Sequence, residues 1–309
     1  MFYQSLSISK QAVHQLLDRR MQQGEQVGYL MPLIAQIRQD HPTLSCRAMY
    51  AKLQPQGIGR DRFEELCKRH GLSIERKVNL WRTTDSSGVV RFDNLLENLT
   101  LSRIDQAWSS DITYYEVQQR FYYLTFVMDC FSRRILGFAV SDRLTAEQTT
   151  LPALKQAVKA RGGSIAEQLI FHSDGGGQYY DKEFLSYTGH HRMRNSMCEL
   201  AYENGKAERL NGIIKNNYLK FCEIKTFIQL QQNVDRAVGL YNRERPHKAL
   251  KYQTPVDYEN KAVLLQQQTT LKMTGSLDAN PGLNGASSPL QTKQTTPPTP
   301  GVLSAIIQE

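Results

Sequence analysis

The chain lacks the long apolar runs and the cysteine patterns that membrane proteins and disulfide-stapled proteins need. No stretch approaches the about 18 apolar residues that span a bilayer, and the N-terminal MFYQSLSISKQAV has no apolar segment of a secretory signal. The five cysteines are odd in number and include no C-x-x-C pair, which argues against a disulfide framework and a zinc knuckle. We therefore expect a cytoplasmic protein whose cysteines are mostly buried thiols.

What the chain does have is a moderate apolar content and an excess of positive charge. It has 309 residues, 40% of them hydrophobic, a formal net charge of +8 and a pI near 9.2. This length leaves room for roughly two domains, since domains cluster at about 100 to 200 residues. The basic excess favours a polyanionic partner, although solubility alone would also explain it unless the charges cluster.

The first part of the chain, from residue 9 to about 77, has a helical pattern. Leu30, Ile34 and Ile37 recur at helical spacing, and LSCRAMYAKL and GRDRFEELCKRHGL follow, separated by the turn-like QPQGIG. Short helices with tight connections fit a helix-turn-helix unit. The last helix interleaves apolar residues with four basic ones, as in a helix that lies against DNA: Arg60, Arg62, Lys68 and Arg69. A solvated helix packed on its own domain is the alternative.

Beyond the linker-like TTDSSG the pattern becomes that of a mixed α/β sheet. WSSDITYYEV, FYYLTFVMDCF and RRILGFAVSD predict three strands joined as antiparallel hairpins. The segment that follows predicts a helix with Thr145 as its N-cap and Gly162 after its end. The rest predicts a strand, a helix, a strand and a helix in turn: LIFHSD, YDKEFLSYTGHH, MRNSM and NGKAERLNGIIKNNYL.

Three acids stand where a carboxylate is costly unless something binds it. Asp111 and Asp174 interrupt or end β-like apolar runs, and Glu208 lies on a predicted helix. An α/β sheet can bring all three to one edge. Carboxylates from separate elements are the oxygen ligands that Mg²⁺ or Mn²⁺ prefers, and two such ions can clamp a phosphodiester displacement. The triple indicates a metal-dependent enzyme that acts on nucleic acid.

Two features beside Asp174 allow more than one interpretation. The glycine run 175–177 permits close backbone approach and positive φ, for a DNA phosphate or simply for a strand-to-helix turn. It is not a nucleotide P-loop, because the G-K-[ST] ending is absent. His172 either serves as a metal or proton-transfer group or only orients Asp174.

The ordered motifs together resemble a known family. DITY, MDCFSR, HSDGGGQY, YENGKAERLNGIIK, and YNRERPHKAL with TPVDYE are similar to the bacterial insertion-sequence transposases that share the retroviral-integrase catalytic core. Within this DDE superfamily the chain resembles the larger reading frame of the two-frame insertion sequences, over roughly residues 30–260. The resemblance implies a ribonuclease-H-like core with an N-terminal helix-turn-helix domain.

The resemblance also implies the site and its partners. Asp111, Asp174 and Glu208 would be the catalytic residues and would hold two Mg²⁺ or Mn²⁺ ions per active site. The interval before Glu208 is shorter than the family's, so Glu203 is a rival for the third position. The implied partners are the terminal inverted repeats and target DNA in the nucleoid, further copies of the chain, and a protein from an upstream reading frame.

Further DNA contacts are expected on and after the helix of Glu208. Lys215 falls on the same helix face as Glu208, so it is a candidate contact to the element end, or else a plain surface lysine. Arg209 is a second candidate. Arg243 belongs with Arg245 and His247 to a compact basic run that either touches the DNA backbone or packs against the core.

These patterns divide the chain into five predicted regions. They are a helical DNA-binding domain at 1–80, a linker at 81–104, the catalytic core at 105–222, a helical extension at 223–273 and a disordered tail at 274–309. The expected function is a transposase that cleaves and joins DNA strands at its element's ends. Two alternatives stay open: a catalytically inactive DNA-binding regulator or remnant, and a ribonuclease-H-like nuclease for hybrid or branched substrates.

Overall fold

The computed structural model describes residues 9–74, 92–198 and 204–275. Backbone contacts divide the chain into two units, Met1–Gln266 and Gln267–Glu309, and the description of the second ends at residue 275. The first part of the predicted linker (81–91), the rival acid Glu203 and nearly all of the predicted disordered tail lie outside the described residues. The five predicted regions therefore stay predictions.

The N-terminal part consists of three helices, as the apolar spacing predicted. They are α1 (Lys10–Asp40), α2 (Cys46–Leu53) and α3 (Arg60–Arg69), and serines cap the first two, because Ser9 and Ser45 accept from the backbone N–H three residues on. Their apolar faces meet in one small core that includes Leu30, Ile34, Leu44, Met49, Phe63 and Cys67. Three packed helices fit a helix-turn-helix unit, and that assignment remains a prediction.

The central element is a five-stranded mixed sheet. Its strands are β1 (Ala107–Val117), β2 (Arg120–Asp129), β3 (Ile135–Ser141), β4 (Ile170–Ser173) and β5 (Arg194–Met197). Their order is β3-β2-β1-β4-β5, with the first three antiparallel to one another and β4 and β5 running parallel to β1. This is a ribonuclease-H-like sheet, so the predicted fold class is confirmed for the core.

Helices cover both faces of the sheet. The helices that follow β3 in the chain are α4 (Thr150–Ala160), α5 (Lys182–His190), α6 (Gly205–Asn217), α7 (Phe227–Arg243) and α8 (Pro255–Gly275). On one face α6 and α7 pack on β2 side chains such as Leu124, Phe126 and Met128. On the other face α4 and α5 pack around Trp108, Val127 and Phe171. Alternate residues of β2 thus serve opposite cores, as the period of a strand requires.

The predicted start of α4 was wrong. Thr145 is not an N-cap: the helix begins at Thr150, and Thr149 occupies the capping position. Pro152 explains the difference, because proline has no N–H and is tolerated in the first turn of a helix but not in its interior. Residues 145–149 instead form a turn in which the Thr149 hydroxyl donates to the Thr145 carbonyl oxygen over 2.6 Å. The predicted helix end is confirmed by Gly162, with φ of +74°.

The described residues agree with two of the exclusions made from the sequence. All five cysteines lie in the described part of the chain and form no disulfide; Cys67, Cys130 and Cys198 are buried. Across the same residues, no helix combines the length and the apolar character needed to cross a bilayer.

Candidate active site

Asp111 and Asp174 meet at one edge of the sheet because two parallel strands deliver them. Asp111 lies in the middle of the central strand β1, opposite Phe126 of β2. On the other side β1 pairs in parallel with β4, and Ser109 lies opposite His172. Asp174 follows the last residue of β4, so extending this register by two positions sets it beside Asp111. Both carboxyl groups are only partly exposed.

Glu208 approaches the same edge on α6, which is attached to β1 at three points. Asn204, just before the helix, donates to the Ser110 carbonyl oxygen over 2.9 Å. One turn after Glu208, Asn211 Nδ2 donates to Asp111 Oδ2 over 2.8 Å. Lys215 Nζ then donates to Thr113 Oγ1 over 3.1 Å. Positions separated by three or four residues share a helix face, so Glu208 is held on the side of α6 that faces β1.

The charges of Asp174 and Glu208 act on Asp111. The pKa of Asp111 is raised from 3.8 to about 7, first by burial and then by the negative charges of Asp174 and Glu208, while the Asn211 hydrogen bond opposes the rise. Burial also raises the pKa of Asp174, against hydrogen bonds from backbone N–H groups such as that of Gly176. A carboxyl group that resists ionisation beside two others is typical of a site that a cation completes.

The donor set fits a hard divalent cation by its chemistry, since it consists of three carboxylates and a neighbouring amide. Asn211 Oδ1 is buried and accepts no hydrogen bond within the described residues. Nowhere in that part of the chain do three His, Cys, Asp or Glu side chains stand close enough together to hold one metal ion. Glu208 is exposed, so its side chain can change rotamer without disturbing the core.

The glycine run after β4 serves close packing and does not adopt positive φ. The positive-φ glycines in the described chain are Gly57, Gly71, Gly162 and Gly163, so the run 175–177 does not use the positive φ that glycine permits. The chain turns instead through a short 3₁₀ helix, Gly177–Tyr179. A Cβ on Gly175 would lie 2.7 Å from Met197 Cε, and one on Gly176 would lie 3.1 Å from Asp174 Oδ1. Glycine is thus needed here to leave room for the Asp174 carboxylate.

Two buried groups behind the acids have structural contacts. His172 is 1% exposed, and its Nδ1 lies 3.0 Å from Ser196 Oγ on β5, which favours the structural interpretation of this histidine. The hydroxyl of Tyr179 lies 2.9 Å from Ser110 Oγ, and burial and the charges of Asp174 and Asp111 raise its pKa. Sequence reasoning missed Tyr179, although it belongs to the HSDGGGQY motif and its apolar ring faces the core.

The predicted DNA contacts fall into three places. Lys215 belongs to the acid edge: burial lowers its pKa, Asp111 opposes this, and its Nζ lies 5.0 Å from the centre of the Tyr114 ring. Arg209 and Arg243 are exposed, on α6 and at the end of α7. The four basic residues of α3 are exposed opposite its buried Phe63.

The basic face of α3 carries less free charge than its sequence suggests. Arg60 pairs with Asp61 and Glu64, and Arg69 pairs with Glu65 one turn before it. Arg62 and Lys68 form no ion pair with any described residue. These two side chains are therefore the unneutralised charges that α3 can offer to a polyanion.

Matches to known proteins cover the region that carries the acids. Two family models, each described as an integrase core domain, match residues 102–202 and 192–255. The transposase for insertion sequence element IS629 of Shigella sonnei is 28% identical over 253 residues, which cover 78% of this chain and 82% of the relative. A 31 kDa insertion element IS600 protein of the same organism is 28% identical over 80% of this chain and 92% of its own length. This chain belongs to the insertion-sequence transposases with an integrase core.

The resemblance inferred from the motifs is thus confirmed, and the chain is a transposase of the DDE type, a polynucleotidyl transferase. Transposase InsF for insertion sequence IS3A of Escherichia coli K12 is 30% identical over 173 residues, 55% of this chain and 59% of the relative. Among solved structures, the magnesium complex of the HTLV-2 integrase catalytic core in its trimeric form covers 51% of the transposase and 97% of its own chain, at 22% identity and a TM-score of 0.42. The simian T-cell lymphotropic virus intasome covers 81% of the transposase and 77% of its own chain, at 17% identity and a TM-score of 0.44.

Proposed function

We propose that this transposase binds the ends of its insertion element and performs metal-dependent DNA strand cleavage and strand transfer at Asp111, Asp174 and Glu208. The observation that carries the proposal is the pKa of Asp111, raised to about 7 by burial and by two further carboxylates. The buried structural acids are either paired with a cation, as Glu259 is with Arg161, or held by several backbone N–H groups, as Asp129 is. Within the described chain no Arg or Lys forms an ion pair with any of the three acids.

The proposed cofactor is Mg²⁺ or Mn²⁺, two ions per active site, held by Asp111, Asp174 and Glu208. When bound there, such ions supply Lewis-acid stabilisation to the attacking and leaving oxygens of a phosphodiester displacement. Asn211 fixes the orientation of the Asp111 carboxylate through its 2.8 Å hydrogen bond. Lys215 keeps an ammonium group beside Thr113, where it can contact a phosphate of the element end.

The remaining parts of the proposal concern partners. The DNA partners are the terminal inverted repeats and the target DNA, and two ends must be held together for joining, so the active form is a homo-oligomer. A protein from an upstream reading frame can contribute further DNA-binding helices. Arg62 and Lys68 on α3 offer phosphate contacts to the terminal repeat, because neither is neutralised within the described chain.

A strand-cleavage and joining assay tests the proposal. Duplexes made from the DNA that flanks this reading frame are incubated with Mn²⁺ or Mg²⁺ and the wild type, Glu208→Gln or Glu203→Gln. We expect metal-dependent nicking at one position that is lost in Glu208→Gln and kept in Glu203→Gln. The reverse pattern would move the third ligand to Glu203. Specific binding without nicking in every protein would favour a catalytically inactive DNA-binding regulator.

A further inference from the structure

A second cationic site lies in a cleft of about 1060 Å³ between the N-terminal helices, α6 and the segment that follows α7. Six Arg or Lys side chains and one acid line it, and the acid, Glu64, is already paired with Arg47. The other five cations form no ion pair with any described residue: Arg133, Lys206, Arg209, Arg245 and Lys248. The cleft therefore holds uncompensated positive charge.

Three arginines from distant parts of the chain converge there. Arg133 lies in the turn between β2 and β3, Arg209 on α6, and Arg245 just beyond α7. All three act on one buried ring pair, Tyr241 and His247, whose centroids are 4.6 Å apart. Burial, followed by the charges of Arg245, Arg133 and Arg209, lowers the pKa of His247 from 6.5 to about 3. A ring that three guanidinium groups keep neutral marks a strongly positive local potential.

The turn that presents Arg133 is held rigidly. The buried carboxylate of Asp129 accepts from the backbone N–H groups of Phe131 and Ser132 through Oδ1 and from that of Asp105 through Oδ2. The Arg133 N–H in turn donates to the Asp129 carbonyl oxygen over 2.8 Å. Asp129 thus caps this turn and fixes the backbone that carries Arg133.

The cleft also contains polar atoms without a protein partner. His247 is 8% exposed and lines the cleft, yet its Nε2 has no hydrogen-bond partner within the described chain. Nη1 of Arg245 is likewise buried and without a hydrogen bond there. The N-terminus of α6 opens on the same space through Gly205 and Lys206, and the side chain of its N-cap Asn204 makes no capping hydrogen bond. The Arg245 guanidinium thus has a buried donor without a hydrogen-bond partner in the described chain, and beside a helix N-terminus it favours an anion.

This cleft is separate from the acid edge. Lys206, Arg209 and Ile213 recur at helical spacing and line the cleft. Glu208, Asn211 and Lys215 recur at the same spacing, about half a turn around the helix axis, and face β1. A ligand in the cleft would therefore contact the opposite side of α6 from the catalytic carboxylates.

We propose that this cleft binds the phosphodiester backbone of DNA at a second place, outside the active site. The proposal rests on the proposed function, because it assumes that DNA is the substrate. The cleft has about 1060 Å³, and its five cations without an ion pair in the described chain come from three separate segments, the β2–β3 turn, α6 and the stretch after α7, so they can contact successive phosphates of a chain. Arg133, Arg209 and Arg245 donate to phosphate oxygens, and the N–H groups at the start of α6 add donors that need no charge.

DNA binding by the full chain tests this, with EDTA present so that no strand is cut. Fluorescence anisotropy measures Kd against salt for the wild type, Arg133→Gln/Arg209→Gln, and the charge-keeping pair Arg133→Lys/Arg209→Lys. The control, Arg192→Gln/Arg194→Gln, removes two positive charges at edge strand β5, three strands from β2. Each lost phosphate contact is expected to lower the slope of log K against log salt by about 0.9 and to weaken binding roughly tenfold at about 0.1 M salt.

We expect Arg133→Gln/Arg209→Gln to lose about two phosphate contacts while its melting temperature stays that of the wild type. Arg133→Lys/Arg209→Lys should keep the wild-type slope of log K against log salt. A glutamine pair that binds no worse than the β5 control would overturn the proposal, whether or not the wild type nicks DNA. If inorganic phosphate alone raised the melting temperature through these residues while DNA affinity stayed unchanged, the cleft would be a small-anion site and the DNA assignment would be wrong. Equal weakening for single-stranded RNA and no weakening for duplex DNA would overturn it too. If the wild type did not nick DNA in the cleavage assay, but the glutamine pair still lowered the salt dependence of DNA binding, the proposed chemistry would be wrong and the DNA-binding role of the cleft would stand.

Discussion

Asn211 on α6 donates a hydrogen bond to Asp111 on the central strand, from Nδ2 to Oδ2 over 2.8 Å. This contact joins the helix that carries Glu208 to the strand that carries the first acid. It also stabilises the ionised form of Asp111, because an N–H donor lowers the pKa of the carboxyl group that accepts from it. One amide thus sets both the geometry and the charge state of the proposed metal site.

Replacement of Asn211 by alanine should shift the pH dependence of nicking. Without the amide, the pKa of Asp111 rises further above about 7, so less carboxylate is present near neutrality. A hydrogen bond to a charged group is worth about 1.5 to 3 kcal/mol, so we expect a loss of roughly tenfold or more near neutral pH that alkaline buffer partly restores. Nicking rates across a pH series measure this. Asn216→Ala, an exposed site on the same helix, should leave the profile unchanged, and an equal loss at every pH would contradict the electrostatic role.

Asp111 should make the metal-free protein less stable as the pH rises from about 4 to about 7. Its pKa is raised from 3.8 to about 7, so in this range the folded state holds a proton that the unfolded state has released. The stabilisation is therefore complete below the unfolded pKa and is lost by the folded pKa. His41 and His247 act in the opposite direction, since burial lowers their pKa values to about 4 and about 3. The difference between wild type and Asp111→Asn isolates the aspartate.

Thermal melting in EDTA across this pH range measures that difference. We expect Asp111→Asn to melt a few degrees above the wild type at the alkaline end, with the gap closing toward acid. Added Mg²⁺ should stabilise the wild type more at the alkaline end, because the ligands must be deprotonated to bind a cation. A gap that did not change with pH would show that Asp111 is unperturbed in solution.

A methyl group added at Gly176 should impair the site without unfolding the protein. Its Cβ would meet Asp174 Oδ1 at 3.1 Å and Gln178 Oε1 at 3.2 Å, and the backbone conformation there suits any residue, with φ of −63°. We expect Gly176→Ala to lower nicking by roughly tenfold or more through displacement of the Asp174 carboxylate. Gly177→Ala is the matched control, because no atom lies within 4 Å of a Cβ at that position. Equal activity of the two variants would mean that the turn shifts to accept the methyl group without displacing the Asp174 carboxylate.

The sequence was sufficient for features that depend on local pattern and insufficient for those that depend on tertiary convergence. The five strands were predictable, because strands alternate with period two. The three acids could be singled out because a carboxylate is costly in an apolar setting, and their role stays a prediction. The start of α4 was misplaced because two threonines could cap it, and only Pro152 distinguished them. The sequence could not predict that Arg133, Arg209 and Arg245 line one cleft, because they come from a hairpin turn, a helix and a loop that are far apart in the chain.

The last helix should be held to the core by a buried ion network at Glu259. This side chain is 4% exposed; Ser132 Oγ donates to its Oε2 over 2.9 Å, and Arg134 and Arg161 each donate to its Oε1 over 2.6 Å. Its pKa lies below the usual 4.5 because both arginines outweigh burial, so the stabilisation is present above that pH and is lost on acidification. Glu259→Ala removes the carboxylate shared by Arg134 and the largely buried Arg161, which keeps only Asp105 as a described ion-pair partner, and should cost about 3 kcal/mol of unfolding free energy.

Urea denaturation near neutral pH measures this cost, and Glu167→Ala provides the comparison. Glu167 pairs with Arg192 over a similar distance, 2.8 Å, but both side chains are about three-quarters exposed. An exposed pair is worth less than about 1 kcal/mol, since water screens the charges and both long side chains lose freedom in forming it. Both variants remove a glutamate carboxylate at similar pair distances, and they differ in burial and in the number of donors, which is three at Glu259 and one at Glu167. Equal destabilisation would therefore mean that the Glu259 network is hydrated in solution and does not hold the last helix.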